Sequence, residues 1–309
     1  LTEYYMGSIN PYPFIRAFYG FLFFSIIMNV VTMFIYYPDG IYVDERGWGG
    51  HFYLGFKNIY IYYFLPFILI TSIYNYIKIR KLGKSFYFML LIILVTSLIS
   101  RSTASLLVIT ILCLMIIFGR YLKLPKWLNL NVIFILMFIF SIVFIFEMLT
   151  GDYVDFTKDM SEKAGKEGDT IASRSLLWIQ ALTAIYLHPL LGSGNFSVDE
   201  GLLEYYQVHN QFLDVITIGG VFLFIVFTLQ FICISQKLKK IRDLWLYNVI
   251  LFVFFAYFVE FLVEGKRNNF LWYAFILIAY HIPQIINKKL LNSLKYENYW
   301  CNSCPLQIE

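Results

Sequence analysis

Long runs of apolar residues, divided by short polar or basic segments, recur along the whole chain. They predict helices near 15–37, 59–77, 85–100, 103–119, 130–149, 209–235, 244–262 and 270–287. A hydrocarbon layer takes about 20 mostly apolar residues per helical span. The predicted fold is therefore all-α: a polytopic membrane helix bundle of about eight transmembrane helices, forming a single transmembrane domain over residues 1–309. Only Ser100-Arg101-Ser102-Thr103 separates the third span from the fourth, which predicts a tight helical hairpin.

The pattern breaks over residues 150–208, a large loop. Its first part carries Asp152, Asp155, Asp159, Glu162, Glu167 and Asp169 among lysines and glycines, in the manner of a solvated segment, and the spacing of these acids matches no metal-binding loop. From Thr170 to Tyr186 apolar residues recur at three and four. Asp169, Thr170 or Ser173 is placed to cap the start, and His188-Pro189 stops the run. This predicts an amphipathic helix on or near the membrane surface. Arg174 falls in its first turn, where a cation meets the unfavourable end of the helix dipole. An anion shared with the helix N-terminus would explain it; an ordinary surface arginine is the plainer alternative. The segment Pro189-Leu190-Leu191-Gly192-Ser193-Gly194-Asn195-Phe196 is a glycine turn, without the preceding strand and following lysine of a nucleotide-binding loop. His209 opens the sixth span, a place where a lone histidine is more often a capping or interfacial residue than a catalyst.

Composition strengthens the membrane reading. The chain is 60% hydrophobic and only 14% charged, with a mean hydropathy of +0.67, whereas soluble domains are about a quarter charged. The net charge of +4 does not indicate a nucleic-acid partner, because the basic residues cluster between apolar runs. Arg16, then Lys78, Arg80, Lys81 and Lys84, then Arg120, Lys123 and Lys126, then Lys237, Lys239, Lys240 and Arg242, then Lys288, Lys289 and Lys295 fall on alternate connections. The positive-inside rule makes that side cytoplasmic. Both termini are then expected in the cytoplasm, with loop 38–58, the Arg101 turn, loop 150–208 and the Glu264–Asn269 loop on the opposite side. Cys113 and Cys233 lie in apolar runs and Cys301 and Cys304 in the tail, too few to make a four-ligand zinc site. The first residue is Leu1 rather than Met, and a fragment lacking earlier helices is one reading of this start.

Ionisable groups in or beside the predicted spans are candidate functional residues. They are Arg101, Glu147, Asp214 and Glu260, all near the extracytoplasmic ends of their spans. An ion-coupled transporter would place such groups near mid-membrane. For Glu147 and Glu260, simple reach to the interface competes with function.

Several of these pieces together resemble one family. Ser100-Arg101-Ser102-Thr103-Ala104-Ser105 between two spans, Arg174 with Trp178 four residues later, Pro189-Leu190-Leu191-Gly192-Ser193-Gly194, His209-Asn210-Gln211-Phe212-Leu213 and Gly219-Gly220 look like the O-antigen ligase and O-antigen polymerase superfamily of bacterial envelopes, over residues 90–235. The resemblance implies a metal-independent, cofactor-free membrane glycosyltransferase acting at the periplasmic face of the inner membrane. Its donor would be a glycan linked to undecaprenyl diphosphate. Polymerases pass the chain to an incoming repeat unit, ligases to lipid A–core, and a flippase and a chain-length regulator are the expected pathway partners. By similarity, Arg101 and Arg174 would bind the diphosphate and His209 would accept the proton of the attacking hydroxyl. Asn210, Lys266 and Arg267 are expected to assist in binding substrate. The short loop and the wealth of Tyr and Phe favour a polymerase. A lipid-linked glycan flippase is the more remote alternative.

Overall fold

A computed structural model of the chain describes residues 12–43, 50–100, 102–149, 170–194, 208–263 and 271–286. Each predicted span is met by a helix. α1 (Tyr12–Tyr36) is followed by a small hairpin of β1 (Tyr42–Val43) and β2 (Gly50–His51). Next come α2 (Ile61–Ile79), α3 (Lys84–Ile99) and α4 (Thr103–Leu114), the last continued by a π-helical turn, Met115–Gly119. α5 (Leu130–Leu149), the loop helix α6 (Thr170–Leu187), α7 (Gln211–Leu238), α8 (Trp245–Val263) and α9 (Leu271–Ile286) complete the order. Five helices, α1, α2, α5, α7 and α8, are long and apolar enough to cross a membrane; α3, α4 and α9 are apolar but shorter. The protein is an all-α polytopic membrane protein.

The chain forms two compact units, one of Leu1–Leu122, Gln236–Val253 and Phe270–Glu309, the other of Lys123–Ser235 and Phe254–Asn269. In the first, α2 is buried on nearly every side from Ile61 to Ile77, as expected of a helix that is apolar all round. Tyr19 of α1 stacks on Phe67 and Tyr74 of α2, with centroids 5.6 and 5.4 Å away.

Where backbone leaves regular structure, buried polar side chains meet it. The amide of Leu54 donates to Asn29 Oδ1 at 2.9 Å and that of Tyr53 to Thr32 Oγ1 at 3.1 Å, so α1 satisfies the segment after β2. The hydroxyl of Ser102, at the α3–α4 turn, meets Asn58 Oδ1 and Ser105 Oγ, each at 3.1 Å. The last carbonyls of a helix lack intrahelical donors, and for α2 and α4 the start of α8 supplies them. Trp245 Nε1 donates at 3.0 Å to the carbonyl of Arg80, which ends α2 in a left-handed conformation. One turn on, Asn248 Nδ2 lies 3.3, 3.0 and 2.8 Å from the carbonyls of Gly119, Arg120 and Leu122. The approach is close because residue 119 is glycine: a Cβ there would stand 2.8 Å from Phe252 Cζ.

The second unit is packed on phenyl rings. Phe134 of α5 lies 4.7 Å from Phe231 and 5.7 Å from both Phe212 and Phe258, joining α5, α7 and the second half of α8. Such pairs contribute about 0.5–1.5 kcal/mol each beyond area burial. α6 turns Trp178, Ala181 and Ile185 onto Ile145 and Met148 of α5 and Leu213 of α7. Its opposite face, with Ile179, Leu182, Tyr186 and Leu187, is exposed and also apolar. Exposed apolar residues on this side fit a helix lying at a membrane surface.

Asn248→Leu keeps volume and removes the donor that faces three carbonyls. It should cost about 1–3 kcal/mol, read as a lowered midpoint of thermal unfolding in detergent. Asn248→Asp, which turns two acceptors on those carbonyls, should cost more. A wild-type midpoint for the Asp variant would show that these carbonyls need nothing from α8.

Candidate functional site

The polypeptide enters α7 through Val208, His209 and Asn210, and each of these residues is constrained differently. His209 has φ = 52°, the left-handed region that costs an L-residue roughly 1–2 kcal/mol. Histidine is among the few residues enriched there. Such a conformation persists only when its surroundings enforce it, and here both neighbours are anchored. On one side the buried indole of Trp178 donates from Nε1 to the Val208 carbonyl at 2.8 Å. On the other, Asn210 caps α7: its Oδ1 accepts from the Leu213 amide at 3.0 Å. Asn210 Nδ2 reaches Ser141 Oγ on α5 at 2.9 Å and the Leu262 carbonyl on α8 at 3.4 Å. His209 is thus half-buried on a turn tied to α5, α6 and α8.

Burial of the Trp178 indole in the cluster with Ile145, Met148, Val208 and Leu213 turns its side of α6 toward the start of α7. The ring of Phe144 lies edge-on to it at 5.8 Å. Arg174 itself sits early in α6; its side chain, together with Arg101, Lys266 and Arg267, lies outside the described residues.

Of the predicted substrate-binding residues, Asn210 is fully buried and its polar atoms are engaged by Leu213, Ser141 and Leu262. The carboxyl residues near this end of the unit separate clearly. Glu147 is exposed, consistent with reach to an interface, whereas Glu260 is 1% exposed and Asp214 0%. Asp214 lies in the first turn of α7, where the helix dipole favours an acid. Among the described residues no group of three or more His, Cys, Asp or Glu side chains is placed to hold a metal ion.

The structure also joins two segments that resembled the family separately. The Pro189–Gly194 turn lies against α7 where that helix is interrupted at Gly220, with φ 62° and ψ −164°. Ser193 and Gly194 donate amides to the carbonyls of Thr217 and Ile218, both at 2.9 Å. Val221 and Phe222 donate theirs to the carbonyls of Pro189 and Leu190, at 2.9 and 3.2 Å. Sequence reasoning passed over Ser141 and the Trp178–Val208 bond. A single hydroxyl in the apolar run Phe138-Ile139-Phe140-Ser141-Ile142-Val143 was the available signal for the first. For the second there was none, because the acceptor is a backbone carbonyl 30 residues away.

Residues 88–228 match the family model described as O-antigen ligase, a stretch that runs from α3 past the interruption in α7. No curated protein and no solved structure matches the chain. The matched residues include the Arg101 turn, Arg174, the Pro189–Gly194 turn and His209, and over this stretch the chain is similar to the O-antigen ligase family.

Proposed function

We propose that this chain is an O-antigen or capsular polysaccharide polymerase of the bacterial inner membrane. It moves a glycan from undecaprenyl diphosphate to a sugar hydroxyl on an incoming lipid-linked repeat unit, at the periplasmic face, with both termini in the cytoplasm. The observation that carries this reading is His209, held half-buried in a left-handed turn by Trp178 and Asn210 within the region matched by the family. Strain enforced from both sides is a mark of functional positions.

In the proposed step the acceptor oxygen forms a bond to the anomeric carbon of the donor. The bond from that carbon to the diphosphate oxygen breaks, and undecaprenyl diphosphate leaves with the electron pair. His209, as neutral imidazole, takes the acceptor's proton. Arg101 and Arg174 bind the diphosphate and stabilise its growing charge, since guanidinium groups pair with phosphate oxygens two at a time. This removes the need for a metal ion. Lys266 and Arg267 add cations toward the same anionic donor. Asn210, whose polar atoms are committed inside the protein, serves by holding the turn. The flippase delivering the donor and a regulator of chain length are the pathway partners.

A ligase, passing the finished glycan to lipid A–core, is the second reading, favoured by the description of the matched family. Lipopolysaccharide from a deletion strain separates the two on a gel. A single repeat per core is expected for the polymerase; bare core would overturn that reading in favour of the ligase.

His209→Ala should lower polymerisation by about 10²–10⁴-fold while the protein still inserts, assayed with purified protein and a synthetic undecaprenyl-diphosphate-linked repeat. A rate near wild type would eliminate the histidine as base. Trp178→Phe keeps an aromatic ring in the cluster and removes the Nε1 donor to Val208 together with part of the indole's volume. It should insert normally and turn over more slowly, as a residue that places His209 would; unchanged turnover would remove Trp178 from this role.

A further inference from the structure

We propose that the Pro189–Gly194 turn is a clasp seated in the interrupted α7, locking the helix that carries Arg174 to the helix that begins beside His209, with Gly192 and Gly220 as positioning residues. The positioning role rests on the glycosyl-transfer reading; the clasp itself rests on geometry.

An uninterrupted α7 would bond the amide of Val221 to the carbonyl of Thr217 and that of Phe222 to Ile218. These two bonds are opened and replaced by four. The amides go to Pro189 and Leu190, and the carbonyls receive Ser193 and Gly194. Ser193 Oγ adds a further contact to the Thr217 carbonyl at 3.1 Å. The turn is therefore inserted into the helical ladder, and each opened group finds its partner there. A glycine break in a membrane helix commonly serves as a hinge, but a hinge needs slack that this arrangement lacks.

The glycines allow the backbones to interpenetrate. A Cβ on Gly192 would stand 2.4 Å from the carbonyl carbon and oxygen of Ile218, and one on Gly220 2.3 Å from those of Leu190. Gly194 supplies an internal control: its φ of +73° is as left-handed as theirs, yet a Cβ there would meet nothing within 4 Å. Between the turn and α6 the chain is continuous, with His188 bonded back to Ala184 and Gly192 to His188. α6 is then fastened to α7 twice, by Trp178 at Val208 and by the turn at Thr217–Phe222. Two separated fastenings fix a helix in rotation and in translation, where one would leave a pivot.

The test compares Gly192→Ala, Gly220→Ala and Gly194→Ala in the full chain, in detergent or nanodiscs. Misplacing groups that act in the transition state harms turnover more than ground-state binding. For the first two variants kcat should fall about tenfold or more, while KM for the lipid-linked donor stays within about threefold. Gly194→Ala should remain within about threefold of wild type in both. Wild-type kcat in Gly192→Ala and Gly220→Ala, or an equal loss in Gly194→Ala, would overturn the positioning role. Hydrogen exchange of the wild-type protein decides the clasp even where a variant fails to accumulate. The amides of Ser193 and Gly194 should exchange as slowly as those of Val221 and Phe222; exchange at the rate of a free peptide would overturn it. If the wild-type protein transfers no glycan from the lipid-linked donor, the glycosyl-transfer reading falls, and slow exchange of these amides still supports the clasp.

Discussion

A backbone amide or carbonyl that leaves regular structure inside an apolar surrounding must be met by another group of the same chain. In hydrocarbon there is no water to take its place, and each orphan costs several kcal/mol. Several polar side chains of this protein are explained by that constraint. Asn29 and Thr32 meet the irregular segment behind α1; Trp245 and Asn248 meet the ends of α2 and α4; Asn210 meets the start of α7. Where α7 itself is broken, another stretch of backbone does the same work.

The candidate site grows from the same constraint. A helix that starts inside the protein needs an N-cap, and Asn210 supplies it while also reaching α5 and α8. The residue before the cap must redirect the chain, and His209 does so with a backbone conformation few side chains tolerate. The imidazole is thus presented by a turn whose geometry is determined by its neighbours. Preorganisation of this kind is what a general base requires, since a displacement of about 1 Å can cost about 100-fold in rate.

The fold was legible because an apolar run of span length has few alternatives in a chain this hydrophobic. The tight turn at Ser100–Thr103 and the stop of α6 before Pro189 were equally plain, since capping residues and proline act locally. The pairing of Gly192 with Ile218 and of Gly220 with Leu190 was not legible, because both members of each pair meet through backbone atoms that leave no pattern in side-chain chemistry. Spacing at three and four marked the buried face of α6 but said little of its outer face. Asn210, part of the motif that begins at His209, is in the structure the N-cap of α7, an ordinary place for a lone asparagine before a helix. Glu147 and Glu260, alike in sequence as acids near span ends, differ in exposure because only one of them faces the packed interior.

The capping of α2 and α4 by α8 bears on how the protein is made. Asn248 is separated from Arg120 by 128 residues and Trp245 from Arg80 by 165. At about 5–20 residues per second, the ribosome needs on the order of ten seconds to deliver α8 after α2 and α4 have emerged. Until then the carbonyls at both helix ends lack the partners that α8 supplies, so the packing of the first unit is completed only when this late segment has been made.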